Sequence, residues 1–347
     1  DLLASIGKDC IGAIQLLKEG EVAKSSKIEG DKLSNSQIEN TLKNYKTSPL
    51  GMSNADADFR ISLAGAQEKS AFLKYKNQWH KPTGTTPTSH IFKLPIGMIE
   101  HQSIDLRDSC ENEWLCLKII EAFGLKVAKA EIEYFNNSKV LVVERFDRKW
   151  SDGHDYLLRL PQEDLCQALG KSSVLKYQAD GGPGIKDIMD FLLGSQQALQ
   201  DRNDFFKIQL IFFLLAAIDG HAKNFSIFIR QASNFQLTPI YDVISAFPMM
   251  HKKQLHQKKI KMAMAIIGKN NHYDWSYIYR RHFLSTAKFV KFSVKQAEDI
   301  LDKTILEIDN VINQVSSLLP QNFPSYISDS IFTGMLKAKQ RLVTSHK

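Results

Sequence analysis

The stretch IDGHAKNFSIF, residues 218–228, places Asp219, Lys223 and Asn224 between a long apolar segment and a short strand-like run. Enzymes of the protein-kinase type use an aspartate to accept or orient the attacking hydroxyl, and an asparagine five residues later to help hold Mg²⁺. A lysine in the same loop can offset charge on the phosphoryl group in transit. The pattern also fits an ordinary helix C-terminus, because Asp-Gly favours turns and Asn is common in turns.

A second carboxylate follows downstream. Asp242 ends LTPIYD, residues 237–242, and lies 18 residues past Asn224. This order suits a second metal-binding residue, because Mg²⁺ is bound by one or two carboxylates together with phosphate oxygens and water. An Asx turn after Pro239 is the alternative interpretation.

Three upstream segments could bind a nucleotide. HIFKLP, residues 90–95, is a predicted strand, and its Lys93 would bind an anion such as phosphate or lie on a solvated edge. Small residues in SLAGAQEKS, residues 62–70, would let backbone N–H groups approach phosphates. This segment is not a Walker A loop, and a simple hairpin is the alternative. VVERFD, residues 142–147, could be a hinge that offers backbone groups to adenine, or an ordinary strand exit.

The order of these segments, a flexible loop, a strand lysine, a hinge and then the two aspartates and the asparagine, predicts a bilobal, protein-kinase-like fold, and hydrophobic periodicity predicts its α+β class. The N-terminal lobe, residues 1–147, is expected to hold an antiparallel sheet, and the C-terminal lobe, residues 148–347, to be mainly helical and catalytic. The strands are predicted at 11–17, 59–63, 70–75, 90–95, 140–146, 225–229 and 235–238. The helices are predicted at 36–45, opened by a capping box of Ser36 and Glu39, and at 111–123, 162–169, 184–193, 201–218 and 294–318.

Composition excludes several classes of protein. The 347 residues are 43% hydrophobic and 24% charged, which excludes a disordered chain or a coiled-coil rod. The net charge of +7 permits an acidic partner such as nucleic acid but does not require one. The four cysteines form no C-x-x-C pair, so we expect a reducing, cytoplasmic location. The longest apolar run, residues 210–218, is too short for a membrane span of about 20 residues.

Seven sequence blocks, taken in order, resemble the HipA family of bacterial toxin serine/threonine kinases. The resemblance extends over nearly the whole chain, to about residue 324. The blocks are FRISLAGAQEKSAFL (59–73), HIFKLPIG (90–97), VERFDRKW (143–150), RLPQEDLCQALG (159–170), KYQADGGPGI (176–185), DGHAKNFSIF (219–228) and LTPIYDVISAFP (237–248).

The resemblance implies ATP and Mg²⁺ as cofactors and a role for each matching position. Asp219 corresponds to the catalytic aspartate, Asn224 and Asp242 to the Mg²⁺ ligands, and Lys93 to the lysine that binds ATP phosphates. Ser62 corresponds to a serine whose autophosphorylation ejects the phosphate loop and inactivates the kinase. The other implied ATP contacts are Ala64, Gly65, Ala66, Gln67, Glu68 and Lys69 in the phosphate loop, Glu144, Arg145 and Phe146 in the hinge, and His221, Ala222, Lys223 and Tyr241.

The resemblance also implies a place in a type II toxin–antitoxin system. The family's targets are aminoacyl-tRNA synthetases, whose phosphorylation blocks translation, arrests growth and produces persistent cells. The usual partner is HipB, a small helix-turn-helix antitoxin that binds operator DNA, and Lys288 and Lys291 resemble positions that contact DNA in that complex. Long HipA proteins carry a further N-terminal subdomain. The chain is therefore expected to be a truncated HipA or the short HipT form, which acts with a separate HipS-like protein.

Two other functions remain open at the level of sequence. The net charge, the basic run at residues 251–261 and the pair Lys288 and Lys291 suit a DNA-binding corepressor that acts with an antitoxin and in which kinase activity is secondary. A kinase of small molecules could share the same bilobal fold.

Overall fold

The chain forms two compact units that interleave along the sequence. The computed structural model describes residues 7–23, 27–47, 69–100 and 103–343. Unit 1 consists of residues 1–97 and 128–163, and unit 2 consists of residues 98–127 and 164–347.

The sequence predicted one boundary between the lobes, after residue 147. The two units depart from that boundary at two segments. Residues 148–163 stay with unit 1, because Arg148 is held there by ion pairs to Asp9 and Asp147. The helix at 109–122 belongs to unit 2, where Asn112 donates a hydrogen bond to the backbone carbonyl of Ser245.

Among the described residues, strands predominate in the first half of the chain and α-helices in the second. The strands are β1 Gly30–Lys32, β2 Lys69–Tyr75, β3 Gln78–Pro82, β4 His90–Lys93, β5 Gly97–Ile99, β6 Ile104–Leu106, β7 Ala130–Phe135, β8 Ser138–Glu144, β9 Arg148–Trp150, β10 Leu157–Arg159, β11 Gln162–Asp164, β12 Ser226–Ile229, β13 Phe235–Leu237, β14 Lys261–Ile267 and β15 Asn271–Asp274. The α-helices are α1 Asn35–Thr47, α2 Ser109–Ala122, α3 Leu165–Ala168, α4 Ile185–Phe191, α5 Ala198–Leu215, α6 Phe247–His251, α7 Arg280–Phe289, α8 Val294–Ser316 and α9 Ser325–Val343.

Unit 1 is built on a six-stranded antiparallel sheet. The strand order is β1-β3-β2-β4-β8-β7, and every neighbouring pair is antiparallel. Strands β4 and β8, inside the sheet, follow the apolar runs near residues 90–95 and 140–146. The antiparallel sheet predicted for the N-terminal part of the chain is therefore confirmed.

Phe92 on β4 lies at the centre of the unit 1 core. Its ring packs edge-on against Phe72 and Trp79, with a centroid separation of 4.8 Å in each pair, and stacks on Phe135 at 5.3 Å. Aromatic pairs in these geometries add about 0.5–1.5 kcal/mol beyond the burial of their area. Helix α1 contributes Ile38 to the same core.

Two predictions for the first fifty residues are wrong in detail. Residues 11–17 form turns and irregular chain instead of a strand, and the Gly12 N–H in this segment donates to the Asp147 carboxylate at 2.7 Å. Helix α1 begins at Asn35, one residue before the predicted start. Its N-terminus is capped reciprocally by Ser34 and Gln37, since each backbone N–H donates to the other's side chain.

Some further differences concern single elements. Residues 162–164 form strand β11, so that only α3 remains of the helix predicted at 162–169. The hairpin β14–β15 and helices α7 and α9 have no counterpart in the predicted elements. The strand predicted at 59–63 lies outside the described residues.

A buried cluster of three arginines and two aspartates joins distant parts of unit 1. Arg145 contacts Asp9 at 3.0 Å and Asp147 at 2.8 Å, and Arg148 contacts the same two carboxylates at 2.9 Å each. Arg159 reaches Asp9 at 3.3 Å. The segment around Asp9 is thereby attached to the chain that follows β8.

The cluster keeps its carboxylates ionised although they are buried. Burial alone would raise the pKa of Asp9, but Arg145, Arg148 and the hydroxyl of Thr88 outweigh it and hold that pKa at about 2. Burial also opposes ionisation of Asp147, and the adjacent arginines again bring the pKa below its usual range. Removing one carboxylate would leave buried guanidinium groups without their counter-charge.

Unit 2 surrounds the buried helix α5. Phe205 and Phe206 lie in its middle and Phe212 and Phe213 near its end, and all four are almost fully buried. Residues 208–215 of α5 are buried on every side, which is typical of a helix segment in a protein core. No described helix, including α5, is long and apolar enough to cross a membrane.

We predict that Asp9→Asn lowers the free energy of unfolding by about 2–3 kcal/mol at neutral pH, the amount that a pKa lowered from 3.8 to about 2 contributes. A lowered pKa stabilises the folded state above pH 4, and this contribution is lost as the pH falls toward 2. The difference between wild type and Asp9→Asn should therefore shrink over that interval in urea titrations. The exposed Asp31→Asn is the control, and a difference that does not change with pH would contradict the prediction.

Candidate active site

The segment 218–228 begins just after α5 ends and runs into β12. Helix α5 ends because Ala216 adopts a left-handed conformation with φ of 47°, and the Ala217 N–H bonds back to the Phe212 carbonyl at 2.8 Å. Gly220 then passes close to the same phenylalanine, since a Cβ atom at this position would lie 2.3 Å from the Phe212 ring. The sequence needs a glycine here for lack of space.

Asn224 connects the two acidic residues of the predicted site. Its side-chain Nδ2 donates to the backbone carbonyl of Asp219 at 2.8 Å and to that of Asp242 at 3.4 Å. With Nδ2 used in this way, Oδ1 points elsewhere and accepts no hydrogen bond from a described residue. The structure thus brings together the three residues that the sequence spacing selected.

Asp242 is held in an unusual backbone conformation. Its φ is +59°, in the left-handed region that residues other than glycine rarely adopt. Such a conformation costs on the order of 1–3 kcal/mol and persists where the surrounding structure imposes it, often at functional sites. Ile240, two residues earlier, is held in place by its N–H, which donates to the Lys126 carbonyl at 2.8 Å.

Asp219 presents a largely exposed carboxylate that has one close side-chain partner among the described residues. Its side chain is 60% exposed, and Oδ1 accepts a hydrogen bond from the Tyr177 hydroxyl at 2.5 Å. The Nε2 atom of His221 is 3.8 Å from the same oxygen. Burial, followed by the contact with Asp219, raises the pKa of the Tyr177 phenol, which therefore remains a donor.

His221 and Ala222 form the buried floor of the loop. Burial lowers the pKa of His221, which favours its neutral form, and its Nδ1 has no hydrogen-bond partner in the described part of the chain. Ala222 is fully buried. Both residues thus lie next to Asp219 and Asn224, and their contact with a nucleotide stays a prediction.

Lys223 and Tyr241 make structural contacts within unit 2. The Lys223 ammonium lies 3.6 Å from the Asp164 carboxylate. The Tyr241 hydroxyl donates to the Lys223 carbonyl at 3.0 Å and shares a hydrogen bond with the Ser226 hydroxyl at 2.5 Å. These bonds fix the path of the loop between Lys223 and Ser226.

Unit 1 places two predicted phosphate-binding lysines side by side. Lys69 on β2 lies directly opposite Lys93 on β4 in the antiparallel register, so that both side chains are on one face of the sheet. Lys93 is only 5% exposed. Like charges at opposing positions repel, so polar or anionic partners are needed to stabilise the two ammonium groups.

Some polar groups of the predicted hinge, Glu144, Arg145 and Phe146, are already bound within unit 1. The Glu144 N–H donates to the Lys129 carbonyl at 2.8 Å, and the Arg145 N–H donates to that of Ser89 at 2.9 Å. The Arg145 guanidinium belongs to the buried ion cluster of unit 1. The Arg145 carbonyl accepts from the Arg148 N–H at 3.2 Å, so Arg145 is bound within unit 1 on every side, whereas Phe146 is half-buried.

Several predicted site residues fall elsewhere. Lys288 lies in the last turn of α7 and Lys291 just beyond it, and both are exposed. The residues that lie outside the described ones are Ser62, Ala64, Gly65, Ala66, Gln67 and Glu68.

The side-chain oxygen atoms of Asn224 and Asp242 are suitable ligands for a magnesium ion. Carboxylate and amide oxygens are hard ligands, and Mg²⁺ characteristically takes few protein ligands and keeps its waters. In the part of the chain that the structure describes, no group of three or more His, Cys, Asp or Glu side chains could hold a metal ion. Two oxygen ligands of this kind are compatible with a sparsely ligated Mg²⁺.

Comparison with known proteins identifies the family. The family model for the HipA-like C-terminal domain matches residues 61–312. The chain belongs to the HipA family. The site residues Lys93, Asp219, Asn224 and Asp242 all lie within the matched HipA region.

Curated relatives of this HipA-family chain are named as kinases. The putative kinase Y4mE of Sinorhizobium fredii is 33% identical over 265 residues, which cover 73% of this chain and 59% of the relative. The serine/threonine-protein kinase toxin HipA of Shewanella oneidensis is 29% identical over 255 residues, which cover 70% of this chain and 56% of that protein. The matched region thus spans little more than half the length of these relatives.

Solved structures confirm the predicted fold class. HipA of Shewanella oneidensis, in a complex with HipB and operator DNA, matches with a TM-score of 0.78 and 23% identity, covering 99% of this chain and 78% of that one. The proinflammatory kinase CtkA of Helicobacter pylori matches with a TM-score of 0.51 and 15% identity, covering 81% and 90%. The α+β fold is therefore that of HipA-type kinases.

Sequence reasoning missed Tyr177. Its partner Asp219 lies 42 residues further along the chain, so no local spacing reveals the contact. The block KYQADGGPGI, residues 176–185, was the available signal, because three glycines in a short segment indicate a tightly constrained loop.

We predict that Gly220→Ala lowers the free energy of unfolding by about 1–3 kcal/mol, because the added Cβ would overlap the Phe212 ring and force the loop to move. Urea titration measures the change. Gly194→Ala is the matched control, since its Cβ would lie 3.4 Å from Phe235, an ordinary contact. Equal stability of the two variants would show that the loop has room at position 220.

Proposed function

We propose that the chain is a serine/threonine protein kinase that transfers the γ-phosphate of Mg-ATP to a protein hydroxyl. The observation that carries the proposal is the connection of Asp219, Asn224 and Asp242 through one side-chain amide. Membership of the HipA family and the kinase names of its relatives support it.

Asp219, Asn224 and Asp242 of unit 2 would each have a separate task. The substrate oxygen forms a bond to the γ-phosphorus while the bond from phosphorus to the β-phosphate oxygen breaks, and ADP leaves. The Asp219 carboxylate orients the hydroxyl and accepts its proton. Asn224, through Oδ1, and Asp242, through its carboxylate, would hold Mg²⁺, which when bound neutralises charge on the phosphates.

Unit 1 would supply the nucleotide contacts. Lys93 and Lys69 would bind ATP phosphates from their shared sheet face, and the segment Glu144–Phe146 would contact adenine. The loop 64–68 would cover the phosphates. Phosphorylation of Ser62 beside this loop would add about two negative charges and expel the loop from its place on ATP.

We further propose that the kinase is the toxin of a toxin–antitoxin system. A relative is named a toxin, and a similar solved chain is in a complex with HipB and operator DNA. The expected partner is a HipB-like helix-turn-helix antitoxin, and a HipS-like protein is the expected third component of a short-form system. The target class implied by the resemblance is an aminoacyl-tRNA synthetase, whose phosphorylation would stop translation and arrest growth.

We predict that Asp219→Asn lowers phosphate transfer from γ-³²P-ATP at least about a hundredfold, because the amide cannot accept the hydroxyl proton. The measurement is the initial rate of labelling of the purified chain and of proteins in a bacterial extract. Mass spectrometry of the labelled wild-type chain should find phosphate on Ser62.

The control for this experiment is Asp299→Asn, which changes an exposed aspartate on α8 and should label at the wild-type rate. Labelling by Asp219→Asn at the wild-type rate would reject the proposed role of Asp219. Labelled metabolites without labelled protein would favour a small-molecule kinase.

Direct DNA binding is a second candidate function, favoured by the exposure of Lys288 and Lys291 at one end of α7. We predict that the double variant Lys288→Ala, Lys291→Ala weakens binding to duplex DNA and reduces the slope of log affinity against log salt by about two. Fluorescence anisotropy measures both quantities. The exposed pair Lys149→Ala, Lys337→Ala is the control. No detectable affinity of the wild type at low salt would exclude DNA contact by this chain alone.

A further inference from the structure

The block KYQADGGPGI, residues 176–185, has no task in the chemistry above, yet it brings a tyrosine to Asp219. We propose that Tyr177 is a positioning residue, which holds the Asp219 carboxylate in the orientation used for phosphate transfer. This inference rests on the proposed kinase function. It adds a residue that the spacing of Asp219, Asn224 and Asp242 does not reveal.

Asp219 needs an external restraint because its side chain is mostly in water. It is 60% exposed, and Asn224 bonds only to its backbone carbonyl. Among the described residues, its side chain has a hydrogen bond from Tyr177 at 2.5 Å, whereas His221 stays at 3.8 Å. An exposed aspartate otherwise samples several rotamers, so the phenol is what selects one of them.

The loop around Tyr177 is built to hold that residue in place. The side-chain Oε1 of Gln178 accepts a hydrogen bond from the Ala265 N–H on β14 at 2.7 Å. The Tyr177 carbonyl accepts bonds from the Asp180 and Gly182 N–H groups at 3.1 and 2.9 Å. These bonds connect the loop to β14 and close it upon itself.

The glycines of the block are required by this closure. Gly181 has a φ of +94°, which a residue with a Cβ atom adopts only under strain. A Cβ on Gly182 would lie 2.2 Å from the Leu175 carbonyl oxygen and 2.8 Å from that of Tyr177. The glycine pair therefore lets the chain pass close to the backbone carbonyls of Leu175 and Tyr177.

Ring contacts fix the direction of the Tyr177 side chain as well. The ring meets the His221 imidazole edge-on, with centroids 5.1 Å apart and an interplanar angle of 78°. The Lys176 ammonium lies 4.9 Å from the ring centroid on a face of the phenol. A phenylalanine at position 177 would keep these ring contacts and lose only the hydroxyl.

The hydroxyl occupies one carboxylate oxygen and leaves the other for the reaction. Tyr177 donates to Oδ1, so the substrate hydroxyl would donate its proton to Oδ2 while its oxygen bonds to phosphorus. The phenol keeps its own proton throughout, since its pKa is raised. If Tyr177 instead blocked the substrate, removing its hydroxyl would raise the rate, which is the opposite of our expectation.

The test compares Tyr177→Phe with wild type and with Tyr326→Phe. Tyr326 also donates a hydrogen bond to an aspartate of unit 2, Asp108, and is therefore matched in chemistry outside the site. Steady-state transfer of ³²P from ATP to dephosphorylated casein gives kcat and KM for ATP. Thermal unfolding of each variant shows whether folding is intact.

We expect Tyr177→Phe to lower kcat about tenfold, the value of one hydrogen bond to a charged group, with KM for ATP and the unfolding temperature nearly unchanged. Tyr326→Phe should keep the wild-type kcat. An unchanged or higher kcat for Tyr177→Phe, a loss confined to KM, or an equal loss in Tyr326→Phe would overturn the inference. A wild type no more active than Asp219→Asn would instead reject the kinase function, and the role of Tyr177 with it.

Discussion

The side-chain amide of Asn224 donates hydrogen bonds to the backbone carbonyls of two aspartates, Asp219 and Asp242, that come from different turns of unit 2. One amide thereby sets the separation between the proposed base and the proposed metal ligand. Because both bonds use Nδ2, the amide oxygen is directed to the opposite side, where a hard cation would accept it as a ligand. The proposed chemistry therefore depends on one side chain, whose Nδ2 positions the two aspartates and whose Oδ1 would bind the metal ion.

Packing beneath the site holds Asn224 and its partners in position. The Ser245 hydroxyl donates to the Leu215 carbonyl at the end of α5 at 2.6 Å, and the Ser245 N–H donates to Asn112 Oδ1 at 2.9 Å. These buried bonds attach the chain after Asp242 to α5 and to α2. A strained φ at Asp242 can persist because both sides of the residue are anchored in this way.

The parts that could be predicted from the sequence were those encoded by local pattern. The apolar runs at β2, β4 and β8 and the helical spacing of α2 and α8 gave the right elements. Asp219 and Asn224, whose contact the structure shows, lie only five residues apart. Strand β14, with the sequence KMAMAII, is buried along most of its length and does not alternate, so periodicity does not distinguish it from a helix.

Contacts over long separations could not be predicted, because nothing local encodes them. Arg145 and Asp9 are 136 residues apart, and the burial that makes their pairing decisive exists only in the folded unit. The same pairing explains why the Arg145 side chain, in the segment predicted to be the hinge, is buried in an ion cluster. Tyr177 and Asp219, 42 residues apart, are a second example of a contact made only by the fold.

The most direct measurement is a crystal structure of the chain with Mg²⁺ and a non-hydrolysable ATP analogue. Our account predicts a metal ion about 2.1 Å from Asn224 Oδ1 and from an Asp242 carboxylate oxygen, and bridging the phosphates. The Asp219 carboxylate should face the γ-phosphate without binding the metal. A metal ion coordinated by other side chains, or a nucleotide whose phosphates lie away from these three residues, would contradict it.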